Sequence, residues 1–180
     1  MKDGVFRTLG LAGALAAGLL AASCGTEATG PSLAASRAAF GSGDPTSFSF
    51  NLVGPNTARA PSGDIIRTTG SGSFDVAART IVASGSFTHI NAAGSVVARG
   101  TWAATAFTSF VAFGGPNPGT QGGVLEFSAT LFPGGGSPVT GVPVTVTCLV
   151  NKPSGFTEEE GTTVGDFTEK TGGHTLFHVD

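Results

Sequence analysis

Apolar and polar residues alternate along most of the chain, and the longest alternating run covers residues 96–113. Up to Ala106 the apolar or small residues of this run recur at every second position, as they do in a half-buried β-strand. After Ala106 the alternation changes phase. Eighteen residues at about 3.3 Å each would span roughly 60 Å, which exceeds an ordinary strand. The run therefore predicts two strands that meet at a bend or bulge near residues 106–109.

Shorter alternating runs on both sides of this stretch predict further strands, separated by segments rich in Gly, Pro and Asn. The predicted strands cover residues 46–52, 65–76, 81–90, 123–132, 141–150, 163–168 and 174–179. The predicted loops cover residues 54–63, 114–123, 133–138 and 151–161. A short repeat, with GSGSF at 70–74 and ASGSF at 83–87, places its two halves on the neighbouring strands of a hairpin.

The composition supports a β-rich chain, because 29 Gly, 10 Pro and 14 Phe accompany only 12% charged residues. Consecutive strands with mostly short connections form an antiparallel meander. We expect an all-β domain in which about eight strands close as an up-and-down barrel, because closure removes the exposed edges of the sheet. A sandwich of two sheets is the alternative.

The first 23 residues have the features of an export signal, with Lys2 and Arg7 followed by an apolar run at 9–22. This run is too short to span a bilayer. Residues 19–24, LLAASC, resemble the lipobox of bacterial lipoproteins. The resemblance implies cleavage before Cys24 and attachment of a diacylglyceryl lipid to its thiol. The alternative is cleavage at the same bond by the ordinary signal peptidase, without lipid.

This organisation divides the chain into a signal peptide at 1–23, a flexible tether at 24–45 and a single domain at 46–180. The mature protein is expected in the cell envelope, anchored to the membrane through the lipid on Cys24, or secreted in soluble form if no lipid is added. Cys148 lies in a run of alternating Val residues, which predicts a small buried hydrophobe. Without lipidation, a disulfide between Cys24 and Cys148 is the alternative.

The charge and the motif content exclude several common functions. The net charge is −3 and the basic residues form no cluster, so nucleic acid is not an expected partner. The usual nucleophile, phosphate-binding and zinc-binding motifs are absent from the sequence. These absences argue against the familiar hydrolases and nucleotide-binding enzymes.

Three groups of polar residues could carry chemistry. They are His89 with His174 or His178 as metal ligands, residues 158–160 with Asp166 and Glu169 as calcium ligands, and Arg99 with Glu126 as an acid–base pair. The sequence favours a simpler interpretation of each group, namely histidines at strand ends, a solvated acidic loop, and a cross-strand ion pair on the outside of the sheet. No cofactor and no metal are therefore expected.

Aromatic residues at inward-facing positions are the main candidates for a binding site. A barrel of about eight strands is wide enough either to be filled by side chains or to hold one small ligand. We therefore expect a small apolar ligand in the interior. Its contacts are expected to be Trp102, Phe107, Phe110 and Phe127, with Phe74, Phe87 and Phe132 lining the same interior. The same side chains are equally able to pack a core without a ligand.

Two other functions depend on different residues. A small barrel enzyme of the isomerase or cyclase type requires His89, Arg99 or Glu126 to face inward, and the sequence favours binding over catalysis. A module that binds another envelope protein would use its loops and an exposed apolar patch on them. The loops are 114–123 and 151–161, and the apolar residues are Phe113 and Phe156.

Overall fold

The computed structural model describes residues 44–180, which contain eight antiparallel β-strands and no helix. The strands are β1 (Ser47–Arg59), β2 (Ile65–Asp75), β3 (Thr80–Ile90), β4 (Val96–Gly114), β5 (Thr120–Pro133), β6 (Val139–Cys148), β7 (Gly161–Val164) and β8 (Glu169–Val179). The all-β class expected from the alternation is confirmed. The expected signal peptide, Cys24 and the tether up to residue 43 lie outside the described residues.

Strand pairing follows the order of the chain for most of the sheet. From β1 to β7, each strand pairs with the one that follows it. β8 then returns to the beginning of the sheet and pairs with β1 through nine residue pairs. Two further pairs, Thr120 with His178 and Gln121 with Phe177, join β5 to β8. The pairings therefore run in a ring, β1-β2-β3-β4-β5-β8, within one eight-stranded sheet instead of two packed sheets.

β1 is longer than the sequence predicts, and the loop predicted at 54–63 is wrong in its first half. Gly54 has a left-handed φ of 70°, a conformation that Gly adopts without strain. The register against β2 shifts between Leu52 and Asn56, as in a β-bulge, and pairing then continues to Arg59. The bulge accommodates the Gly-Pro pair within the strand, and Asn56 beyond it is fully buried.

The irregularity predicted near residues 106–109 is present in β4. Its register against β5 shifts twice between residues 104 and 109, which is the behaviour of a bulged strand. β4 nevertheless continues as one strand of 19 residues, so the expectation of two strands meeting at a corner is wrong. Because a bulge changes which face the following residues occupy, Phe107 and Phe110 both join Trp102 in the interior.

Aromatic and aliphatic side chains fill the interior of the sheet. The largest apolar side chains with almost no exposure are Phe48, Phe50, Phe127, Phe177, Ile66, Leu125 and Val146. Phe74 and Phe87 are buried with them, as predicted. Phe132 is 43% exposed, and its predicted place in the interior is wrong because it is an odd number of residues from the inward-facing Phe127. Cys148 is a free thiol and is buried, as predicted.

Candidate functional site

The four aromatic residues predicted to bind a ligand are all buried in the interior, where they belong to one network of ring contacts that Phe50 joins. Trp102 lies against Phe127, with ring centroids 5.9 Å apart. Phe110 packs edge-on against Phe74 at 4.9 Å, and Phe107 contacts the same ring at 6.0 Å. Offset and edge-to-face contacts of this kind stabilise a core. The predicted ligand residues are therefore in contact with other rings instead of surrounding an open space.

The short sequence repeat positions the indole ring of Trp102. Gly70 and Gly85 lie directly opposite each other on β2 and β3, and Gly85 also lies opposite Trp102 on β4. A Cβ atom at Gly85 would overlap the carbonyl oxygen of Thr69 and lie 2.6 Å from Trp102 Nε1. Because the glycines leave this space, the indole N–H reaches the Thr69 carbonyl and donates a 3.0 Å hydrogen bond to it.

A small cavity remains beside Trp102 and Phe127 in the otherwise filled interior. Its volume is about 10 Å³. The lining is completed by Leu52, Thr68, Leu131, Val144, Val146, Thr162 and Val164. A single water needs about 10–15 Å³, whereas pockets for small organic ligands measure about 300–1,000 Å³. An apolar ligand of ordinary size would therefore have to displace side chains that form the core.

Of the three polar residues considered for catalysis, His89 lies on the inner face of its strand. It pairs with the buried Ile66, and residues directly opposite each other share a face. His89 Nε2 is 2.9 Å from Asp64 Oδ2, and the imidazole meets the ring of Phe167 edge-on at 5.2 Å. The hydrogen bond to His89 is the main cause that lowers the pKa of Asp64. Because Asp64 also accepts the N–H of Ala92, the group joins the β1–β2 turn to the turn after β3.

Arg99 and Glu126 are both exposed, and the ion pair predicted between them is wrong. Glu126 lies opposite Ser109 in the register of β4 and β5 and accepts a 2.7 Å hydrogen bond from its hydroxyl. Arg99 lies near the far end of β5, because its neighbour Gly100 pairs with Pro133. The two side chains therefore belong to different parts of the outer face.

The acidic segment at 158–160 is only partly the solvated loop that the sequence predicts, because Glu159 is exposed while Glu158 and Glu160 are half-buried. The Lys170 side chain is only 7% exposed, and its ammonium group donates to Glu158 Oε2 at 3.3 Å and to the Glu159 carbonyl at 2.9 Å. It also donates to the hydroxyl of Thr147 at 2.6 Å. Burial lowers the pKa of Lys170, and the Glu158 carboxylate opposes that shift. The segment is thus held against the sheet by a buried cation.

A second polar group lies between β1, β7 and β8. Asn56 accepts a 3.3 Å hydrogen bond from the hydroxyl of Thr162 and donates a 3.1 Å hydrogen bond to the carbonyl of His174. Glu160 Oε1 accepts the backbone N–H of Thr175 at 2.9 Å. Within residues 44–180, no buried side-chain nitrogen or oxygen lacks a partner. The two bonds of Asn56 join residues 106 and 118 positions apart in the chain, so no local sequence pattern indicated them.

A shallow groove with a volume of about 410 Å³ crosses the outer face of β3, β2, β1 and β8. The strand registers place four of its residues side by side in one row, namely Val82, Ser73, Ser49 and His178. The full lining is Ser49, Phe50, Asn51, Ser71, Gly72, Ser73, Val82 and His178. These lining residues include no Asp, Glu, Lys or Arg. Sequence reasoning missed the groove, because alternating Ser residues are also typical of an ordinary solvated strand face.

Phe113 near the end of β4 and Phe156 in the loop after β6, whose exposure would favour a module that binds another protein, pack against each other. The ring centroids of Phe113 and Phe156 are 4.8 Å apart, and both residues are half-buried. Asn151 Nδ2 donates a 2.7 Å hydrogen bond to the carbonyl of Phe113. These contacts fasten the loop after β6 to the end of β4.

Comparison with protein-family models, with curated proteins and with solved structures gave no match. In the part of the chain that the structure describes, no group of three or more His, Cys, Asp or Glu side chains is arranged to hold a metal ion. No helix there is long and apolar enough to cross a membrane. A proposal for the function therefore depends on the groove, the interior and the N-terminal sequence.

Proposed function

We propose that the chain is an exported cell-envelope protein, attached to a membrane by lipid on Cys24, with a β-domain that closes as a barrel and acts as a binding module. Export and lipidation are supported by the basic start, the short apolar run and the LLAASC segment of the sequence. Barrel closure is supported by the ring of pairings that returns from β8 to β1 and β5. The residues from 24 to 45 would serve as the spacer between membrane and domain.

The outer groove is the binding surface in this proposal. The observation that carries it is the difference in open volume, about 410 Å³ in the groove against about 10 Å³ in the interior. Of these two spaces in the described part of the chain, the groove is the one with the size of a small-ligand site. It also presents several hydrogen-bonding side chains on a rigid sheet, so that little entropy is lost when a ligand binds.

The ligand that fits this lining is a neutral molecule rich in hydroxyl groups, such as a segment of an envelope glycan. Ser71, Ser73 and Asn51 offer donors and acceptors without formal charge. Val82, which is 77% exposed, offers an apolar contact for the C–H face of a sugar ring. A strongly charged ligand would find no fixed counter-charge among the lining residues, which include only His178 as a titratable group.

The test is titration calorimetry of the full-length chain with two neutral oligosaccharides, chitohexaose and maltohexaose. We expect saturable binding of at least one of them. Val82→Arg should weaken that binding at least tenfold, because the longer, charged side chain occupies the groove. Val97→Arg is the matched control, since Val97 is also an exposed strand valine, at 52%, but lies outside the groove. Absence of saturable binding by both sugars, or equal weakening by both variants, would reject the proposal.

A small apolar ligand in the interior is the second candidate. The specific observation in its favour is that the residual cavity adjoins Trp102 and Phe127 and has an almost entirely apolar lining. Native mass spectrometry of the Cys24→Ala chain, purified gently from cells and compared with its denatured mass, tests this candidate. An extra mass of metabolite size would support an interior ligand, and a clean mass would leave the groove as the binding site.

A further inference from the structure

The boundary between β7 and β8 differs from the other boundaries of the sheet in how it is closed. β7 pairs with β6 through four residue pairs, and β8 pairs with β1 through nine. Between β7 and β8 there is a single bridge, Val164 with Phe167, which belongs to the turn that joins the two strands. Among the described residues, no backbone ladder closes this boundary, which we call the seam.

Side chains take the place of the missing ladder along the seam. Glu160 binds the N–H of Thr175, a group that a neighbouring strand would ordinarily satisfy. Asn56 bridges the hydroxyl of Thr162 on β7 and a carbonyl on β8. Lys170 on β8 binds the segment that leads into β7 through Glu158 and the Glu159 carbonyl.

Part of this closure is open to solvent. The Glu158 side chain is 40% exposed, so solvent screens its attraction to Lys170, and water can replace the hydrogen bonds of this carboxylate when they break. Segments with few backbone hydrogen bonds open at a lower free energy than the whole domain unfolds. Asn151 and Phe156 hold the first part of the preceding loop to β4, so the unit with the features of early separation is the segment 158–164.

Opening of the seam would uncover the interior at one particular place. Thr162 and Val164 of β7 form one wall of the cavity beside Trp102. Cys148 at the end of β6 is 1% exposed. Its neighbour Thr147 pairs with Gly161 of β7 and accepts a hydrogen bond from Lys170 of β8, so Cys148 lies beside the segment that leads into β7. Movement of β7 away from β8 would therefore expose both the apolar cavity and the Cys148 thiol.

We propose that the seam is a built-in opening of the domain, in which the segment 158–164 moves away from β8 reversibly and gives access to the apolar interior around Trp102. Lys170 is the latch that holds this segment in the closed state. This opening is separate from the binding function assigned to the outer groove. The groove lies on the outer face of β1, β2, β3 and β8 and is lined by no residue of β7.

Cys148 supplies a native probe of the opening. The full-length chain is treated with iodoacetamide at increasing low concentrations of urea, and alkylation at Cys148 is measured by peptide mass spectrometry. A local opening exposes little surface, so the alkylation rate should be nearly independent of urea well below the unfolding midpoint. A rate that instead rises from zero urea with the full slope of global unfolding would overturn the proposal, without any variant.

The variant Lys170→Met tests the latch, because it keeps the apolar stem and removes the three hydrogen bonds of the ammonium group. We expect it to raise the alkylation rate of Cys148 about tenfold. Phe107→Leu on β4 is the control, since its ring packs against Phe74 and does not line the cavity that β7 borders. If both variants raise the rate in proportion to their loss of global stability, or if Lys170→Met leaves it unchanged, Lys170 is not a latch.

Discussion

At the scale of single residues, Phe127 and Phe132 on β5 show how strand alternation separates core from surface. Phe127 is 1% exposed and Phe132 is 43% exposed, although both are phenylalanines on the same strand. We expect Phe127→Ala to lower the free energy of unfolding by about 3–5 kcal/mol, because it leaves a cavity in a packed core. Phe132→Ala should cost less than about 1 kcal/mol.

Urea unfolding, followed by the fluorescence of Trp102, measures both values. Trp102 is the only Trp in the chain, so the signal reports the interior that Phe127 helps to fill. A cost for Phe127→Ala as small as that for Phe132→Ala would mean that Phe127 lines a space instead of packing in a core. The description of the interior as filled by side chains would then be wrong.

Asp75 makes the stability of the domain depend on acidic pH. It accepts hydrogen bonds from the N–H of Ala78 at 2.6 Å and from the Ser47 hydroxyl at 2.8 Å. These bonds, the one from Ala78 first, lower its pKa from the ordinary value of 3.8. The unfolded chain therefore binds the proton at a higher pH than the folded chain does. The resulting stabilisation is complete above the ordinary pKa and is lost as pH falls through the folded one.

We expect Asp75→Asn to be less stable than the parent chain at pH 7 and to lose less stability on acidification below about pH 4. Asp166→Asn is the control, because Asp166 is exposed in the turn after β7. Thermal unfolding of the three chains between pH 2.5 and 7 provides the comparison. The same pH dependence in all three chains would contradict the role given to Asp75.

At the scale of the elements, the glycine repeat predicts a difference between two Gly-to-Ala changes. Gly85→Ala should lower the free energy of unfolding by about 1–3 kcal/mol, because the new methyl group overlaps the Thr69 carbonyl and crowds the Trp102 indole. Gly119→Ala should change it by less than about 0.5 kcal/mol, since no atom lies within 4 Å of the added carbon. Denaturant unfolding measures both. Equal effects would mean that the repeat does not position the indole.

Alternation predicted an element well wherever it continued without interruption. The inward face of β5, with Leu125, Phe127 and Ala129, follows directly from the sequence and is buried in the structure. β1 was predicted too short, because Gly54 and Pro55 are also typical of a loop and a bulge has no distinct local pattern. The pairing of Asn56 with residues on β7 and β8 was not predictable either, since it depends on how distant strands meet.

The environment of the acidic segment was also not predictable from local patterns, because it depends on a residue from another strand. Residues 158–160 have the composition of a solvated loop, and only the position of Lys170 on β8 changes that interpretation. A single cation twelve residues away carries no local signal in the sequence. Local patterns thus predicted the strands and most of the core, while the seam and the groove required the register between strands.

At the scale of the whole molecule, the chain order of the strands predicts the meander, whereas a return of the last strand to the first was expected only because it removes exposed edges. Hairpin connections determine which strands are neighbours from β1 to β7. The return of β8 to β1 depends on side chains from several strands, such as the ring of Phe177 packed against Phe50 and Phe110. The interior that these rings fill gives the domain a rigid outer surface, which is the property that the proposed groove needs.

The attachment of this domain to a membrane is a prediction about the complete chain, and its two cysteines offer a matched pair of variants. A diacyl anchor holds a protein stably because two buried chains contribute about 0.8 kcal/mol for each CH₂ group. Expressed in a bacterium that processes lipoproteins, the parent chain should therefore enter the detergent phase of a Triton X-114 extraction. Cys24→Ala should remain in the aqueous phase, and Cys148→Ala should partition like the parent because its thiol is buried in the core. If Cys24→Ala also enters the detergent phase, or if the parent chain carries no diacylglyceryl mass on its first residue, the anchor is absent and the chain is secreted in soluble form.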